Sequence, residues 1–91
     1  MANLFNITIL TREGTVYRGR TASLVAPGEI GYLGVLANHA PLMTSLVPGK
    51  ITLKDDSGKI TTFKSTGKGF LEVLKNETLI LLDTAVSPQT A

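Results

Sequence analysis

Apolar and polar residues alternate along several short stretches of the chain, and the N-terminal stretch shows this pattern most clearly. Phe5, Ile7 and Ile9 are separated by Asn6 and Thr8. Successive side chains of a β-strand point to opposite faces, so this spacing places three apolar side chains on one face. The pattern predicts a first strand with one buried face.

Similar patterns recur through the middle of the chain. Two strands are predicted within residues 16–26, and an apolar stretch covers residues 42–47. Between them, three glycines within residues 28–34 predict a tight backbone. The segments 50–54 and 60–64 flank the sequence Asp-Asp-Ser-Gly, which predicts a hairpin with one solvated face.

The last third of the chain is ambiguous, because residues 70–87 contain neither glycine nor proline and their apolar residues also fit one side of a helix. We interpret this part as two strands, 70–74 and 78–85, separated by the polar sequence Lys-Asn-Glu. The continuous apolar run 79–82 is typical of a strand that is covered on both faces.

Many short strands separated by turns predict an all-β domain, built as a small antiparallel sandwich or barrel. With 91 residues, 43% hydrophobic and 18% charged, the chain has the size and composition of one folded domain. We assign residues 1–86 to this domain and residues 87–91 to a C-terminal tail. The apolar members of the alternating rows are expected in the core: Ile7, Ile9, Leu24, Ile51, Leu53, Leu71, Val73, Ile80 and Leu82.

Composition and charge exclude several kinds of chemistry. The chain has no cysteine, so disulfides, thiolate nucleophiles and cysteine-ligated metals are excluded. The net charge of +2 arises without a basic run, and nucleic acid binding is therefore not indicated. There is no run of about 18 apolar residues and no signal-peptide pattern, so we expect neither insertion into a membrane nor export.

The residues that could carry chemistry are few. His39 is the only histidine, and no local motif links it to a hydroxyl nucleophile, so a structural or interface role is expected and hydrolysis through His39 is disfavoured. The scattered carboxylates show no metal-ligand spacing, and the glycines at 28–34 and 67–69 match no phosphate-binding motif. We therefore expect no catalytic residue, no metal and no cofactor.

The segment 28–51 resembles the signature region of the epsilon subunit of F-type ATP synthase. The shared motifs are Gly-Tyr-Leu-Gly at 31–34, Asn-His-Ala-Pro-Leu at 38–42, Thr44, and Pro-Gly-Lys-Ile at 48–51. Several short motifs in register are more specific than any one of them.

The resemblance continues through Gly-Phe-Leu-Glu-Val at 69–73 and Leu-Asp-Thr-Ala at 82–85, so that it covers residues 4 to 86. One departure is Ala37, where the family usually has a proline, which loosens the turn before His39.

The resemblance implies a flattened antiparallel β-sandwich of about ten short strands. It also implies a non-catalytic subunit of the central stalk, or rotor, which couples the gamma subunit to the c-subunit ring during proton-driven ATP synthesis. Such a subunit would be peripheral on the cytoplasmic face of a bacterial inner membrane, or on the equivalent organelle face. Nucleic acid would not be a partner, and the domain would not insert into the membrane directly.

Two contact regions are implied in the same way. The residues expected at the gamma-subunit interface are Thr11, His39, Ala40, Pro41 and Thr44. The residues expected at the c-ring interface form the loop Glu29, Ile30, Gly31, Tyr32 and Leu33.

Members of this family commonly continue into two C-terminal α-helices that can restrain ATP hydrolysis, and the 91 residues do not contain such a pair. We therefore expect either a naturally short subunit or the sandwich part of a longer one, without that inhibition. The alternative interpretation is a free-standing β-sandwich module that binds a small ligand or another protein.

Overall fold

The computed structural model describes residues 3–84 and 89–90, and β-strands joined by turns and loops make up this part of the chain. The strands are β1 (Phe5–Thr11), β2 (Gly14–Thr21), β3 (Ser23–Gly28), β4 (Gly31–Leu36), β5 (Leu42–Leu46), β6 (Gly49–Lys54), β7 (Ile60–Ser65), β8 (Gly69–Leu74), β9 (Glu77–Leu82) and β10 (Gln89–Thr90). The all-β prediction is confirmed, including two strands in the ambiguous last third. Within the described residues, no helix has the length and apolar character needed to cross a membrane.

The ten described strands form one hydrogen-bonded sheet that folds over on itself. The strand order is β10-β7-β6-β3-β5-β8-β9-β1-β2, and β4 also pairs with β3. β3 and β5 share a single residue pair, Gly28 with Leu46, so the sheet is narrow at this junction. We call β3, β4, β6, β7 and β10 the first layer, and β1, β2, β5, β8 and β9 the second layer. Buried side chains from both layers meet in one core, as expected for a sandwich.

Most neighbouring strands are antiparallel, as predicted, and the exception among the described strands is the parallel pair β1 and β9. Asn6 lies opposite Glu77, and Leu10 lies opposite Leu81. Parallel neighbours cannot be joined by a tight turn, so this pair brings together distant parts of the chain. The alternating pattern in the sequence predicts strands in both regions, but it does not indicate that β1 pairs with β9.

The core contains every residue that the sequence predicts for it. The buried apolar side chains are Phe5, Ile7, Ile9, Leu24, Ala26, Val35, Leu46, Ile51, Leu53, Phe63, Leu71, Val73, Ile80 and Leu82. Tyr17 of the second layer meets Phe63 of the first layer edge to face, with ring centroids 5.3 Å apart. Aromatic contact therefore links the two layers.

The prediction that the run 79–82 is covered on both faces is wrong. Ile80 and Leu82 are buried, whereas Leu81 is 45% exposed and Leu79 is partly exposed. β9 lies in the second layer, with one face toward the core and the other facing away from the molecule. A run of apolar residues shows that the side chains are apolar, but it does not show whether both faces of the strand are covered.

The strand β9 ends earlier than the sequence predicts. β9 ends at Leu82, and Asp83 and Thr84 follow it outside any strand, so the predicted continuation through these two residues is wrong, whereas Ala85 lies outside the described residues. Within the segment predicted as a tail, Gln89–Thr90 pair with β7, and the other tail residues also lie outside the described part.

Candidate interaction surfaces

The β3–β4 hairpin carries the residues predicted to contact the c ring. β3 runs to Gly28 and β4 begins at Gly31, which leaves Glu29 and Ile30 as the exposed tip. The side chain of Ile30 is fully accessible, with a relative exposure of 104%. Gly31 has a φ of 131°, a conformation that glycine adopts at little cost. The hairpin therefore presents an apolar side chain at its outermost point.

Tyr32 and Leu33 lie in strand β4 and not in a loop as predicted. The phenolic oxygen of Tyr32 accepts a hydrogen bond of 3.2 Å from the backbone N–H of Lys50. A Cβ atom at Gly49 would stand 2.9 Å from this oxygen and 2.9 Å from the Cβ of Pro27, so only glycine leaves room for the ring. Leu33 packs against the core, and it supports the hairpin from below.

His39, Ala40 and Pro41 lie in the connection between β4 and β5, and two asparagines fix its position. Asn38 adopts a left-handed conformation with a φ of 63°. Its backbone N–H donates to the Oδ1 atom of Asn76 at 2.7 Å, and the Nδ2 atom of Asn76 donates to the Oδ1 atom of Asn38 at 3.2 Å. We call this the asparagine pair. It ties the connection to the β8–β9 turn.

Thr44 lies on β5, close to this connection in the sequence. It is opposite Leu71 of β8, which is buried, and paired residues of a sheet project to the same face. Its side chain is partly buried on the inner face of the second layer. Thr44 therefore stabilises the surface around β5 from the inner face and contributes little to the exposed surface itself.

Thr11 is not beside the other residues predicted to contact gamma. β1 starts next to the β8–β9 turn, where the backbone N–H of Asn6 donates to the carbonyl of Asn76 at 2.9 Å. Thr11 ends the same strand, five residues further on, which is about 16 Å along an extended chain. It lies at the opposite end of the second layer from His39.

An apolar surface on the outer face of the second layer was not anticipated. Met43, Phe70 and Leu81 are 64%, 48% and 45% exposed, and they surround a shallow groove of about 190 Å³ together with Leu79. We call these four side chains the outer patch. Contiguous exposed apolar surface is typical of interaction sites. The signal in the sequence was the apolar run 79–82, which we interpreted as buried on both faces.

A larger depression joins the outer patch to the hairpin tip. Its volume is about 460 Å³, and Phe70 and Leu81 line it together with Glu29. Lys68 and Asp83 add a charge of each sign to its walls. The tip and the patch therefore belong to one continuous surface.

In the part of the chain that the structure describes, no cluster of three potential metal ligands occurs. The carboxylate of Asp55 has a pKa below its ordinary value of 3.8, chiefly because the Ser57 hydroxyl donates to it, with further help from the backbone N–H groups of Lys59 and Ser57. These bonds close the β6–β7 turn, so the lowered pKa has a structural cause.

Comparison with known proteins agrees with this architecture. Residues 4–88 match the sequence model of the ATP synthase delta/epsilon chain, β-sandwich domain. The ATP synthase epsilon chain of Xanthomonas campestris pv. campestris is 41% identical over 81 residues, which are 89% of this chain and 57% of that protein. The epsilon chain of Dichelobacter nodosus is 36% identical over 85 residues, 93% of this chain and 59% of that protein. The chain thus spans less than two thirds of the length of these relatives.

Two solved assemblies contain a chain with the same fold. One is the Euglena gracilis mitochondrial ATP synthase with its c-ring, matched with a TM-score of 0.82 and 24% identity over 90% of this chain and 51% of the other. The second is the central stalk and c-ring of the Tetrahymena thermophila mitochondrial ATP synthase, with a TM-score of 0.71 and 18% identity over 90% of this chain and 65% of the other. At these identities the likeness concerns the fold alone. The family match and the identity to epsilon chains together show that this chain belongs to the β-sandwich domain family of ATP synthase delta/epsilon chains.

Proposed function

We propose that this domain is a non-catalytic piece of the central stalk of F-type ATP synthase, where it couples the gamma subunit to the c-subunit ring. Membership of the delta/epsilon family supports the choice of assembly. The structural observation that carries the proposal is the β3–β4 hairpin tip, where Ile30 is fully exposed on a braced support. Covering such a side chain contributes on the order of 2 kcal/mol to an interface.

The base of this hairpin is tied to other strands, as a part that transmits torque requires. The carbonyl of Pro27 accepts a hydrogen bond of 2.9 Å from the backbone N–H of Val47. Tyr32 reaches the backbone of Lys50 on β6. A load applied at the tip is therefore passed to β6 and to the β5–β6 connection. Close packing in the core makes the sandwich stiff as a whole.

The gamma contact is proposed at His39, Ala40 and Pro41, in the connection that the asparagine pair holds. Thr44 would stabilise this surface from the inner face of β5. Thr11 would make a separate contact at the other end of the second layer. A gamma subunit that reaches both ends would follow β1 for about 16 Å.

A non-catalytic role agrees with the hydrogen bonding of His39. Its Nδ1–H group donates to the carbonyl of Ala40 at 2.7 Å. A histidine that serves as the base of a hydrolase has its Nδ1–H oriented by a carboxylate. In this chain a backbone carbonyl accepts the hydrogen bond from Nδ1–H instead. This bond fixes the orientation of the ring, as suits an interface residue.

The proposed location follows from the proposed partners. A domain that rests on the loops of a c ring lies at the surface of the membrane without entering it. We place it on the cytoplasmic face of a bacterial inner membrane, or on the equivalent organelle face, as a peripheral subunit.

Reconstitution of the rotor with the gamma subunit and c ring from the same source tests this proposal. The combined variant Glu29→Ala, Ile30→Ser removes the apolar tip and its neighbouring charge. We expect attachment to the ring to weaken by about tenfold and ATP-driven proton pumping to fall. His39→Asp is expected to weaken binding of gamma instead.

Matched controls separate these effects from damage to the fold. Leu36→Ser alters an exposed apolar residue at the other end of β4, and Lys64→Asp places the same new charge on an exposed site of β7. Both should leave attachment and pumping unchanged. Normal attachment and pumping with the folded tip variant would contradict the c-ring contact, and unchanged gamma affinity with folded His39→Asp would contradict the gamma contact.

A further inference from the structure

Two lysines lie directly opposite each other on adjacent strands of the first layer. Lys50 of β6 pairs with Lys64 of β7, and both side chains are exposed. They alternate with the buried side chains of Ile51 and Phe63, so they project from the outer face of the layer. Like charges directly opposite each other destabilise a sheet. Folding alone therefore gives no reason for this pair, whereas a bound anion would offset its repulsion.

The backbone contacts of β6 show that this pair is of the type that brings side chains closest. The backbone N–H of Lys50 donates to the Tyr32 hydroxyl, and the carbonyl of Lys54 accepts from the backbone N–H of Ala22. Both contacts lie on the side of β6 that faces away from β7. Lys50 and Lys64 are thus a non-hydrogen-bonded pair, whose Cα atoms are about 4.5 Å apart. At this separation both ammonium groups can reach one ligand.

Two threonines continue the same face one pair further along the strands. Thr52 lies opposite Thr62, and both are partly exposed. Residues two apart on a strand point to the same face and lie about 7 Å from each other. We call Lys50, Lys64, Thr52 and Thr62 the lysine cluster. It combines two ammonium groups with two hydroxyl groups, and all four can donate hydrogen bonds.

Carboxylates are absent from the strands around the lysine cluster. β3, β4, β6, β7 and β10 contain three lysines and neither aspartate nor glutamate. Asp55 follows the far end of β6, about 16 Å from Lys50 along an extended strand. Its carboxylate already accepts hydrogen bonds from Ser57 and Lys59. The described strands of the first layer therefore supply no counterion for the two opposed lysines.

We propose that the lysine cluster binds the phosphate group of a small anion. Free phosphate or a phosphate monoester carries about two negative charges at neutral pH, because its second pKa is about 6. One such group neutralises both lysines, whereas a carboxylate neutralises only one. Its oxygen atoms accept hydrogen bonds from the ammonium groups and from the hydroxyls of Thr52 and Thr62. The cluster contains none of the residues proposed to contact gamma or the c ring, so the inference goes beyond the proposed function and does not depend on it.

Titration of the full 91-residue chain with inorganic phosphate tests this site. We expect the NMR signals of the four cluster residues to shift together and to saturate with one dissociation constant. Lys50→Gln, Lys64→Gln removes both charges and is expected to weaken binding about tenfold or more. The variant should stay folded, because it also removes the repulsion between the lysines. Circular dichroism and thermal unfolding check this.

Lys54→Gln, Lys59→Gln is the matched control, because it removes the same charge from the same hairpin. Lys54 lies opposite Ile60, and Lys59 lies in the β6–β7 turn, so neither belongs to an opposed pair of lysines. The control should bind phosphate within about twofold of the wild type, since salt screens charges that do not contact the ligand. An equal loss in both variants would indicate general attraction by the positive face and would overturn the proposed site.

A second arm varies the charge of the ligand. Dimethyl phosphate keeps the tetrahedral phosphorus and carries a single negative charge. We expect it to bind about tenfold more weakly than inorganic phosphate, because it neutralises only one of the two lysines. Equal binding of the two anions would contradict a site built for a doubly charged phosphate group.

A third arm distinguishes the sources of the phosphate group. The chain is sedimented with phosphatidylcholine vesicles that contain or lack phosphatidic acid, whose headgroup is a phosphate monoester. Sedimentation that requires phosphatidic acid and is lost in Lys50→Gln, Lys64→Gln would support the site with a lipid headgroup as its ligand. Binding of inorganic phosphate without sedimentation would support the site with a soluble ligand. If the wild-type chain bound neither inorganic phosphate nor these vesicles, the inference would be wrong and the proposed function would be unaffected.

Discussion

Two buried threonines differ in what their hydroxyl groups contact. The hydroxyl of Thr21 lies between the carbonyls of Ser23 and Lys54, at 2.9 Å from each. The hydroxyl of Thr78 has no hydrogen-bond partner within the described residues. Both side chains are almost fully buried, at 1% and 4% exposure. Leaving a buried hydroxyl unpaired costs about 1–3 kcal/mol, so these residues have opposite effects on the free energy of unfolding.

We expect Thr78→Val to raise the free energy of unfolding by about 1 kcal/mol, because valine keeps the shape and removes the unpaired hydroxyl. Urea unfolding at neutral pH measures this change. Thr21→Val is the matched control. It should lower the free energy of unfolding by about 1–2 kcal/mol, because it removes the donor between two carbonyls. An equal loss in both variants would show that the Thr78 hydroxyl is satisfied in solution.

At the scale of elements, the sequence predicts strands well and their partners poorly. The alternating rows around Ile7 and Ile51 determine which side chains share a face, and that face is buried. The parallel pairing of β1 with β9 depends on contacts between distant segments, which a period of two residues does not encode. The turn sequence at 55–58, by contrast, acts locally, and it joins β6 to β7 as predicted.

The candidate interaction surfaces, like the strand partners, could be predicted only in part from the sequence. The predicted gamma residues separate in space, because Thr11 and His39 lie at opposite ends of the second layer. The outer patch joins Met43, Phe70 and Leu81, which no sequence window contains together. Only the pairing of β5, β8 and β9 creates that surface, so it could not be predicted from alternation.

The connection between β4 and β5 depends on the asparagine pair. We expect Asn76→Ala to lower the free energy of unfolding by about 1 kcal/mol, because it removes both side-chain hydrogen bonds to Asn38. Hydrogen exchange at His39 and Ala40 should accelerate, since the connection loses its tie to the β8–β9 turn.

A double-mutant cycle isolates this contact. Asn38→Gly keeps the left-handed backbone and removes the amide side chain. If the pair acts as one unit, adding Asn38→Gly to Asn76→Ala should cost less than Asn38→Gly alone, with a coupling energy of about 0.5–1.5 kcal/mol. Fully additive losses would mean that the two side chains act independently.

Across the whole molecule, the side chains that hold the two layers together are different from those that are available to a partner. Two phenylalanines illustrate this division. Phe63 is 0% exposed and meets Tyr17 across the core, whereas Phe70 is 48% exposed on the outer patch. Because the two ring systems are chemically identical, their environments alone decide whether each contributes to folding or to binding.

We expect Phe63→Ala to lower the free energy of unfolding by about 3–5 kcal/mol, because it leaves a cavity between the layers. Domains of this kind have a total stability of about 5–15 kcal/mol, so this loss is a large fraction of it. Phe70→Ala should cost at most about 1 kcal/mol, since the ring already faces solvent. Chemical unfolding of both variants measures the difference.

Binding of a dye to exposed apolar surface should rank the two phenylalanines in the opposite order. Phe70→Ala should lower the dye signal in a protein that unfolds almost like the wild type, because this ring belongs to the exposed outer patch. Phe63→Leu, which keeps most of the core volume, should lower stability moderately and leave the dye signal unchanged as long as the chain is folded. If Phe63→Leu changed the dye signal as much as Phe70→Ala, the outer face would depend on core packing. The separation of buried and exposed roles between the two faces of the second layer would then be wrong.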